Sequence, residues 1–382
     1  MASERGIVGR LWLGGRFRRG WLTWSRGRLE RVAAGAPPRA HSGTLLDLGD
    51  ARVLPGFVDT LAHGFGGVGC VDGGAAALAR MARGMAAAGV TSAYGGFYPA
   101  PLPVLRRAVK AWNGLKAAGG GPRARLLGWH VEGIFVAPGM RGALPRAGIA
   151  RPDAAAARRF LDACGGWLRM STIAPELPGA IEAAAVLRAA GVRPSIGHSA
   201  ASWADCVALA AGGPVAITHL GNRMPPLHVR APGPIGFTFA GRAQWVGVIP
   251  DGQHVVAEAL GMLAAQPTLR HRLMFQSDNL SHAGLAAEEF RAGGQRLHRE
   301  GPAARNARGG LAGTLDPLPE MLLQRVAAGD LTWAQAVRGG CEVPGALVGD
   351  CGRLAAGLRA DLVVIDAAAT AVETTWVGGR RV

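Results

Sequence analysis

The chain of 382 residues has few cysteines, few aromatic residues and no long apolar run. Its five cysteines are far apart and form no CxxC pair, so their spacing indicates neither a disulfide framework nor a cysteine metal site. No stretch approaches the roughly 18 consecutive apolar residues that a membrane-spanning helix needs. The N-terminal segment also lacks an apolar core followed by a cleavage site. We therefore predict a cytoplasmic globular protein without a membrane segment.

The positive charge of the chain comes almost entirely from arginine. The net charge is +16, and Lys110 and Lys116 are the only lysines. The arginines are spread along the whole chain, with only short clusters such as RFRRG and GGRRV, whereas a nucleic-acid-binding face gathers its basic residues together. We therefore expect no nucleic-acid partner. A positive surface would instead favour a small anionic substrate.

Short β-prone runs alternate with alanine-rich helical stretches from about residue 51 onward. Eight such runs end in polar or glycine-rich residues: RVLPGFVDTLAHG, GVTSAYGGFYP, RLLGWHVEGIF, WLRMSTIAPE, RPSIGHSA, PVAITHLGN, QWVGVIPDGQH and RLMFQSDN. Strands that alternate with helices predict a parallel α/β sheet, and eight repeats predict a closed (β/α)₈ TIM-type barrel. A doubly wound open sheet is the alternative, although no GxGxxG motif at a first strand–helix turn supports it.

The two ends of the chain lack the helical repeat. The segments RLWLGGRF, GWLTWSRGRLERV and GTLLDLG have the pattern of short strands with glycine turns, and the C-terminal tail has a similar pattern. The simplest arrangement joins both ends into one small domain. We predict a β-sandwich of residues 1–50 and 352–382 beside a barrel of residues 51–351.

Four polar residues stand where predicted barrel strands end: Glu132 after the third strand, His198 after the fifth, His219 after the sixth and Asp278 after the eighth. Each alone has an ordinary explanation as a hydrogen-bonding histidine, an ion-pair partner or a helix cap. In a TIM barrel, however, all four would face one mouth. Two imidazoles and a carboxylate form a three-ligand metal site with an open position, and a further carboxylate can take a proton from metal-bound water.

Longer motifs surround these residues in a fixed order: VLPGFVDTLAHGFGG, GWHVEGIFVAPGMRGAL, TIAPE, SIGHSAAS, ITHLGNRMPPLHVRAPG, DGQHV, FQSDN, GLAGT and GRLAAGLRADLVVID. In content, order and spacing they resemble the N-acetylglucosamine-6-phosphate deacetylases of the amidohydrolase superfamily. The stretch THLxNxMPPLHxRxPG is the most specific of them. The resemblance covers nearly the whole chain and also implies a β domain built from both chain ends.

The resemblance implies a metal centre and a base. It makes Glu132, His198 and His219 the ligands of one divalent metal ion per subunit, for which zinc is the first choice and iron or cobalt are alternatives. It makes Asp278 the general base that activates the metal-bound water. Asp278 would then act as the general acid that protonates the departing amine.

The resemblance also implies how the substrate is held. Asn222, Arg230 and His254 match substrate-binding positions, with Arg230 and His254 on a phosphate group. The family is expected to form a homodimer in which His254 reaches across from the second subunit. The implied substrate is thus a small anionic amino sugar.

Two positions depart from the family pattern. Leu61 and His63 stand where many superfamily members carry a His-x-His pair, and leucine cannot ligate a metal, so we expect a single-metal site. His63 would then face the substrate or form a hydrogen bond within the mouth. Leu144 stands where the family usually has a histidine that contacts the amide carbonyl or the sugar. The loss of that polar group indicates an altered substrate, a slower enzyme or compensation by another residue.

The leading hypothesis is metal-dependent hydrolysis of the N-acetyl group of an amino sugar, N-acetylglucosamine-6-phosphate or a related phosphorylated N-acyl amino sugar. One alternative keeps the site but acts on a different amide or a cyclic amide in a biosynthetic pathway. A second alternative is a catalytically weakened binding protein, which is suggested by Leu61 and Leu144. Retention of Asp278 argues against it, because a protein that only binds has no need of a base.

Overall fold

Eight parallel strands form the centre of the computed structural model, which describes residues 5–39, 45–115 and 117–382. Each strand is hydrogen-bonded, in parallel, to the barrel strand that follows it in the sequence. Their bounds are Phe57–Ala62, Val90–Phe97, Arg125–Phe135, Leu168–Ile173, Arg193–Ile196, Ala216–Ile217, Trp245–Val248 and Leu273–Phe275. The strands are almost completely buried, as expected for a sheet that is covered on both faces.

Each strand leads into a helix that packs outside the barrel. The helices span Ala75–Ala87, Leu102–Gly114, Ala154–Cys164, Ala180–Ala189, Trp203–Ala211, Gly233–Phe239, Ala257–Ala265 and Leu318–Ala327. Side chains cap the N-termini of two of these helices. Ser202 and Asp205 form a reciprocal capping box at one, and Asp153 accepts a hydrogen bond from the amide of Ala156 at another. Small buried alanines let these helices lie close to the sheet.

The barrel is closed between its first and last strands. The amide of Asp278 donates to the carbonyl of Leu61 at 2.8 Å, and the amide of His63 donates to the carbonyl of Asn279 at 2.7 Å. Inside this seam the carboxylate of Asp59 accepts hydrogen bonds from the amide and hydroxyl of Ser277. The backbone that completes the barrel is therefore the same backbone that carries Asp278 and His63.

Both ends of the chain join in one seven-stranded sheet beside the barrel. Its strands are Gly6–Leu13, Arg16–Ser25, Arg28–Ala34, Leu46–Pro55, Leu362–Ile365, Val372–Val377 and Arg380–Arg381. The predicted barrel with a β region from both termini is confirmed. The domain boundaries stay a prediction, and the strand Leu46–Pro55 crosses the one proposed at residue 50. Residues 1–4, Lys116 and the first two residues of the predicted GTLLDLG segment lie outside the described residues.

A four-stranded antiparallel sheet, which the sequence analysis did not predict, is inserted after the eighth barrel strand. Its strands are Glu289–Ala292, Gln295–Glu300, Ala303–Asn306 and Leu311–Thr314. We call residues 289–314 the lid sheet, because it covers part of the barrel mouth. A small core of Leu280, Phe290, Leu297, Ala304 and Leu315 holds it together.

The remaining elements are short. They are the hairpin strands Gly64–Phe65 and Val68–Gly69, the 3₁₀ turn Pro138–Met140, the helices Trp333–Val337 and Val343–Val348, and the π-helical turn Arg338–Glu342 between those helices. Within residues 5–39, 45–115 and 117–382, no helix has both the length and the apolar character needed to cross a bilayer.

Candidate active site

The side chains of Glu132, His198 and His219 converge at the carboxyl end of the barrel. Nε2 of His198 lies 2.7 Å from Oε1 of Glu132, and Nε2 of His219 lies 2.6 Å from the same oxygen. The two Nε2 atoms are 3.1 Å apart. All three residues are at most 4% exposed. Parallel strands end at one rim, so residues as distant in sequence as Glu132 and His219 meet there.

This donor set fits a divalent metal ion. Zinc binds imidazole nitrogen and carboxylate oxygen atoms, and the three such atoms here lie within 3.1 Å of one another. Nδ1 of His198 lies 2.9 Å from the carbonyl oxygen of Met140, so an Nδ1–H donor there leaves Nε2 with a free lone pair. Where Nε2 of His219 also carries a lone pair, the two lone pairs repel at 3.1 Å unless a proton or a cation lies between them. The cluster is therefore able to hold a metal ion, and its donors suit zinc, iron or cobalt.

The electrostatics of the cluster follow from its burial. Burial alone would raise the pKa of Glu132, but the charge of His198 and hydrogen bonds from His198, His219 and His63 hold it well below its usual value. Burial lowers the pKa of His219, whereas its hydrogen bond to Glu132 and the charge of that carboxylate raise it, with a net increase. Glu132 is thus ionised over the whole neutral range and attracts cationic partners.

Asp278 and His63 lie beside the three ligands. Nε2 of His63 is 3.0 Å from Oδ1 of Asp278 and 3.2 Å from Oε2 of Glu132, so these three residues form a second group that could hold a metal. The ring of His63 stacks on Tyr98, with 3.9 Å between ring centroids. The structure thus places His63 with the two carboxylates, and not on the wall of the main cavity where a substrate-facing residue would lie.

The backbone bends sharply at three of these residues. The φ angles of His198, His219 and Asp278 are 49°, 30° and 56°, in the left-handed region that residues other than glycine seldom adopt. Each residue stands just after a barrel strand. The turn there directs the side chain toward the barrel mouth, where it joins the cluster.

A cavity of about 500 Å³ opens above the cluster and contains two of the predicted substrate-binding residues. Asn222 and His254 line it together with the three ligands and Asp278. Nδ1 of His254 lies 2.6 Å from Oδ2 of Asp251 in the same chain. His254 thus lines the cavity of its own chain, and its implied contribution across a dimer interface stays a prediction. Arg230 is exposed and does not line this cavity.

Known proteins match this chain along most of its length. An N-acetylgalactosamine-6-phosphate deacetylase of Escherichia coli O157:H7 is 30% identical over 335 residues, which cover 87% of this chain and 88% of that protein. An N-acetylglucosamine-6-phosphate deacetylase of Bos taurus is 30% identical over 351 residues, which cover 88% of this chain and 84% of that protein. This chain belongs to the N-acetylglucosamine-6-phosphate deacetylase family. That family is one of amidohydrolases, and the resemblance inferred from the motifs is confirmed.

A solved structure agrees with this membership. An N-acetyl-D-glucosamine-6-phosphate deacetylase variant from Mycobacterium smegmatis, in complex with N-acetyl-D-glucosamine-6-phosphate, superposes with a TM-score of 0.88 at 31% identity. The superposition covers 100% of this chain and 99% of that one. A scan against models of protein families gives no match.

Two arginines that the sequence analysis did not select also line the cavity. Arg223 follows Asn222 in the HLGNRMPP motif, and Arg305 lies on the third strand of the lid sheet. Arg305 is anchored by an ion pair with Glu300 at 2.8 Å and a hydrogen bond to Oε1 of Gln253 at 3.3 Å. Arg223 stood in a quoted motif, but one arginine among so many carries little signal. Arg305 could not be found without the lid sheet.

Leu144 lines the same cavity and is 3% exposed. It lies in the loop after the third barrel strand, next to Ala143, whose carbonyl oxygen accepts a hydrogen bond from Nε2 of Gln295 on the lid sheet. The departure noted in the sequence therefore lies on the cavity wall itself. At this point the wall is apolar and offers no hydrogen bond to a substrate.

Proposed function

We propose that this chain hydrolyses the N-acetyl amide of a phosphorylated amino sugar to acetate and the free amine. N-acetylglucosamine-6-phosphate is the first substrate to test, with related phosphorylated N-acyl amino sugars after it. The observation that carries the proposal is the meeting of three ligand atoms and the Asp278 carboxylate in one cavity that also holds cationic side chains. Family membership and the bound sugar phosphate of the Mycobacterium smegmatis structure support it.

A metal ion is part of the proposal. A divalent ion held by Glu132, His198 and His219, for which zinc is our choice, would polarise the amide carbonyl and bring the pKa of a coordinated water to about 7. We propose one such ion per subunit, because Leu61 removes a ligand from the first strand. A second ion would instead require the other candidate group, which consists of His63, Glu132 and Asp278.

Asp278 is placed to move the proton. Its carboxylate borders the cluster, and the contact of Oδ1 with His63 at 3.0 Å fixes its orientation. As the water oxygen bonds to the carbonyl carbon, Asp278 accepts a proton from that water. As the C–N bond breaks, Asp278 delivers the proton to the amine nitrogen, and acetate leaves with the water oxygen. Such proton transfer contributes roughly 10²- to 10⁴-fold to the rate.

The phosphate end of the substrate is assigned to the cationic side of the cavity. Arg223, His254 and Arg305 line it, and Asn222 lies beside them with its Nδ2 atom buried and without a hydrogen-bond partner among the described residues. A guanidinium group binds phosphate through paired hydrogen bonds. These residues would hold the phosphate while the acetyl group reaches the metal ligands.

We further propose a homodimer. Leu227, Val229, Val256 and Met262 are exposed apolar residues in segments that follow the sixth and seventh barrel strands, which are neighbours, and Val229 is 92% exposed. Arg230 lies beside Val229 and outside its own cavity. A partner subunit would cover this apolar surface. Sedimentation of the purified protein tests the dimer directly.

A cytoplasmic location also stays a proposal. Its support is that Cys70, Cys164, Cys206, Cys341 and Cys351 are all buried and free of disulfides. Unpaired thiols are usual in reducing compartments.

The test is the release of acetate and amine from N-acetylglucosamine-6-phosphate by zinc-loaded protein. The N-acetylgalactosamine epimer should be assayed in parallel, because one relative bears that name. Asp278→Asn is the control and should lower turnover by about 10³-fold while leaving bound metal unchanged. No release from wild-type protein that holds one metal per chain would contradict the proposal and favour another amide. No turnover of any amide would favour the weakened binding protein.

A further inference from the structure

Among the described residues, the hydroxyl group of Tyr98, which lies beside His63 at the edge of the site, has no hydrogen-bond partner. It follows the second barrel strand, and its ring lies nearly parallel to that of His63, with 9° between the planes. Within the described part of the chain, no hydrogen bond of this hydroxyl is found. Tyr98 lines the active-site cavity on one side and a second cavity of about 420 Å³ on the other. It therefore borders the space that a bound substrate occupies.

The phenol of Tyr98 is a donor at every working pH. Burial raises its pKa well above the usual value, and the charges of Asp278 and Glu132 raise it further. Tyr98 lines the same cavity as both carboxylates, so its phenol borders the space in which the water would attack. An uncharged donor at this place suits an oxygen that gains negative charge during the reaction.

Most other polar groups on the cavity wall are already used. The three ligands and Asp278 have the roles described above. Gln295 donates a hydrogen bond to Ala143, His254 is hydrogen-bonded to Asp251, and Arg305 forms an ion pair with Glu300. Among the described residues, the amide of Asn222 and the guanidinium of Arg223 are further donors without a partner, but both lie on the side that we assign to the phosphate. Tyr98 is the one beside His63 and Asp278.

The apolar wall at Leu144 leaves the substrate carbonyl short of a donor. When water adds to an amide, negative charge develops on the carbonyl oxygen, and a preorganised donor aimed at that oxygen lowers the barrier. Leu144 offers no such group and is buried against the cavity. Beside the proposed metal ion, a hydrogen bond to that oxygen would therefore have to come from another element.

We propose that the hydroxyl of Tyr98 donates a hydrogen bond to the carbonyl oxygen of the scissile amide, in place of the polar side chain that is absent at Leu144. The inference rests on the proposed function. It adds a residue that touches the reacting atoms and that neither the motifs nor the metal cluster identifies. The ring of Tyr98 also supports His63, so the test must separate the hydroxyl from the ring.

The chain contains two tyrosines, which provide a matched pair. Tyr98→Phe removes the hydroxyl and keeps the ring on His63. Tyr94→Phe removes the same group from a buried residue that packs against Met170, Met274 and neighbouring apolar side chains, away from the cavity. We expect Tyr98→Phe to lower kcat by about 100-fold with KM changed by less than about threefold, because the bond forms in the transition state. Tyr94→Phe should retain wild-type kinetics.

A second arm asks whether Tyr98 and position 144 share one task. Leu144→His should restore about tenfold of the activity lost in Tyr98→Phe and should raise the wild-type rate by a clearly smaller factor, so the two substitutions would be non-additive. A binding measurement supplements the rates. A phosphonamidate analogue, whose tetrahedral phosphorus replaces the acetyl carbonyl, should bind about 100-fold more weakly to Tyr98→Phe. The affinity for glucosamine-6-phosphate, which lacks that group, should stay unchanged.

The outcomes separate this inference from the proposed function. Acetate release by wild type together with full activity in Tyr98→Phe would overturn the role of the hydroxyl and leave the function standing. A kcat loss in Tyr94→Phe equal to that in Tyr98→Phe would also overturn it, because the effect would then be one of packing. A loss that Leu144→His leaves unchanged would overturn the shared task. No acetate release from metal-loaded wild type would overturn the function and this inference together.

Discussion

The cluster of Glu132, His198 and His219 and the lid sheet both line one cavity, yet they are built in different ways. Glu132 lies within a barrel strand, and His198 and His219 directly follow two others, so the parallel sheet itself sets their separations. The lid sheet lines the cavity with side chains that are held by individual hydrogen bonds. Gln295 donates one to the carbonyl of Ala143, and Arg305 donates one to Gln253. The barrel strands thus set the positions of the metal-binding side chains, whereas contacts between loops and the lid sheet shape the substrate-binding part of the cavity.

This difference bears on the two departures from the family pattern. Leu144 lies on a loop of the cavity wall, where a change of side chain leaves the strand ladder intact, whereas Leu61 lies within the first barrel strand. A substitution within the cluster would instead remove a ligand or leave a buried charge without its partner, which costs several kcal/mol. Variation in the substrate shell is therefore compatible with an unchanged metal site.

The largest expected effect comes from the cluster. His198→Ala removes one of three ligands, so we expect bound metal to fall below about one tenth of an equivalent and turnover to fall by at least about 10³-fold. Leu144→Ala is the matched change on the facing wall and should keep the full metal content. Metal analysis and acetate release measure both. A His198→Ala protein with wild-type metal content would break the contrast between the two regions.

Metal removal should make the stability of the protein depend on pH. Although burial lowers the pKa of His63, its contacts with Asp278 and Glu132 raise it to about 9 in the protein without metal. The ordinary value is about 6.5, so the protonated histidine stabilises the fold fully below that pH, and the contribution is lost as the pH rises through about 9. We expect chelator-treated protein to lose up to about 3 kcal/mol of unfolding free energy across this window.

His63→Gln is the control for that titration, because glutamine can form hydrogen bonds but does not change charge. Its unfolding free energy should fall less between pH 6.5 and 9 than that of the wild type, and the fall that remains comes from His219, whose pKa is also raised. Denaturant titrations at several pH values give the comparison. An equal fall in the variant would mean that another group is responsible.

The lid sheet should act on substrate affinity. Arg305→Gln removes a cation from the cavity wall, so we expect KM for the phosphorylated substrate to rise by about tenfold and kcat to change little. The exposed residue Arg308 is three positions further on and does not line the cavity, so Arg308→Gln is the matched control. Turnover of N-acetylglucosamine without phosphate should be equal in both variants. An equal rise in KM for Arg308→Gln would indicate a general effect of surface charge.

The smallest effect is expected at the contact between lid sheet and wall. Gln295→Ala removes the hydrogen bond to the carbonyl of Ala143, which is worth about 1 kcal/mol. We expect a two- to fivefold rise in KM, with metal content and kcat close to wild type. A large loss of kcat would show that the lid sheet also positions the reacting groups, and the two regions would then be less separate than we infer.

The sequence alone predicted the barrel and the meeting of Glu132, His198, His219 and Asp278, because strand alternation places all strand ends at one rim. It could not predict the lid sheet, whose strands have only four to six residues and no helices between them. The position of Arg305 depends on how that sheet packs, and that of His63 depends on barrel closure. Tyr98 gave no signal either, since a tyrosine after a strand is ordinary until its unpaired hydroxyl is seen.

The left-handed backbone of the site residues has a consequence for how this protein could lose its activity. Among the described residues, six that are not glycine have positive φ, and His198, His219, Arg223 and Asp278 all line the cavity. Glycine at His198 or Asp278 would relieve about 1 kcal/mol or more of conformational cost. Inactivation at these positions is therefore thermodynamically downhill in the backbone. A barrel that served only as a scaffold would have no use for this conformational cost, and His198, His219 and Asp278 carry it.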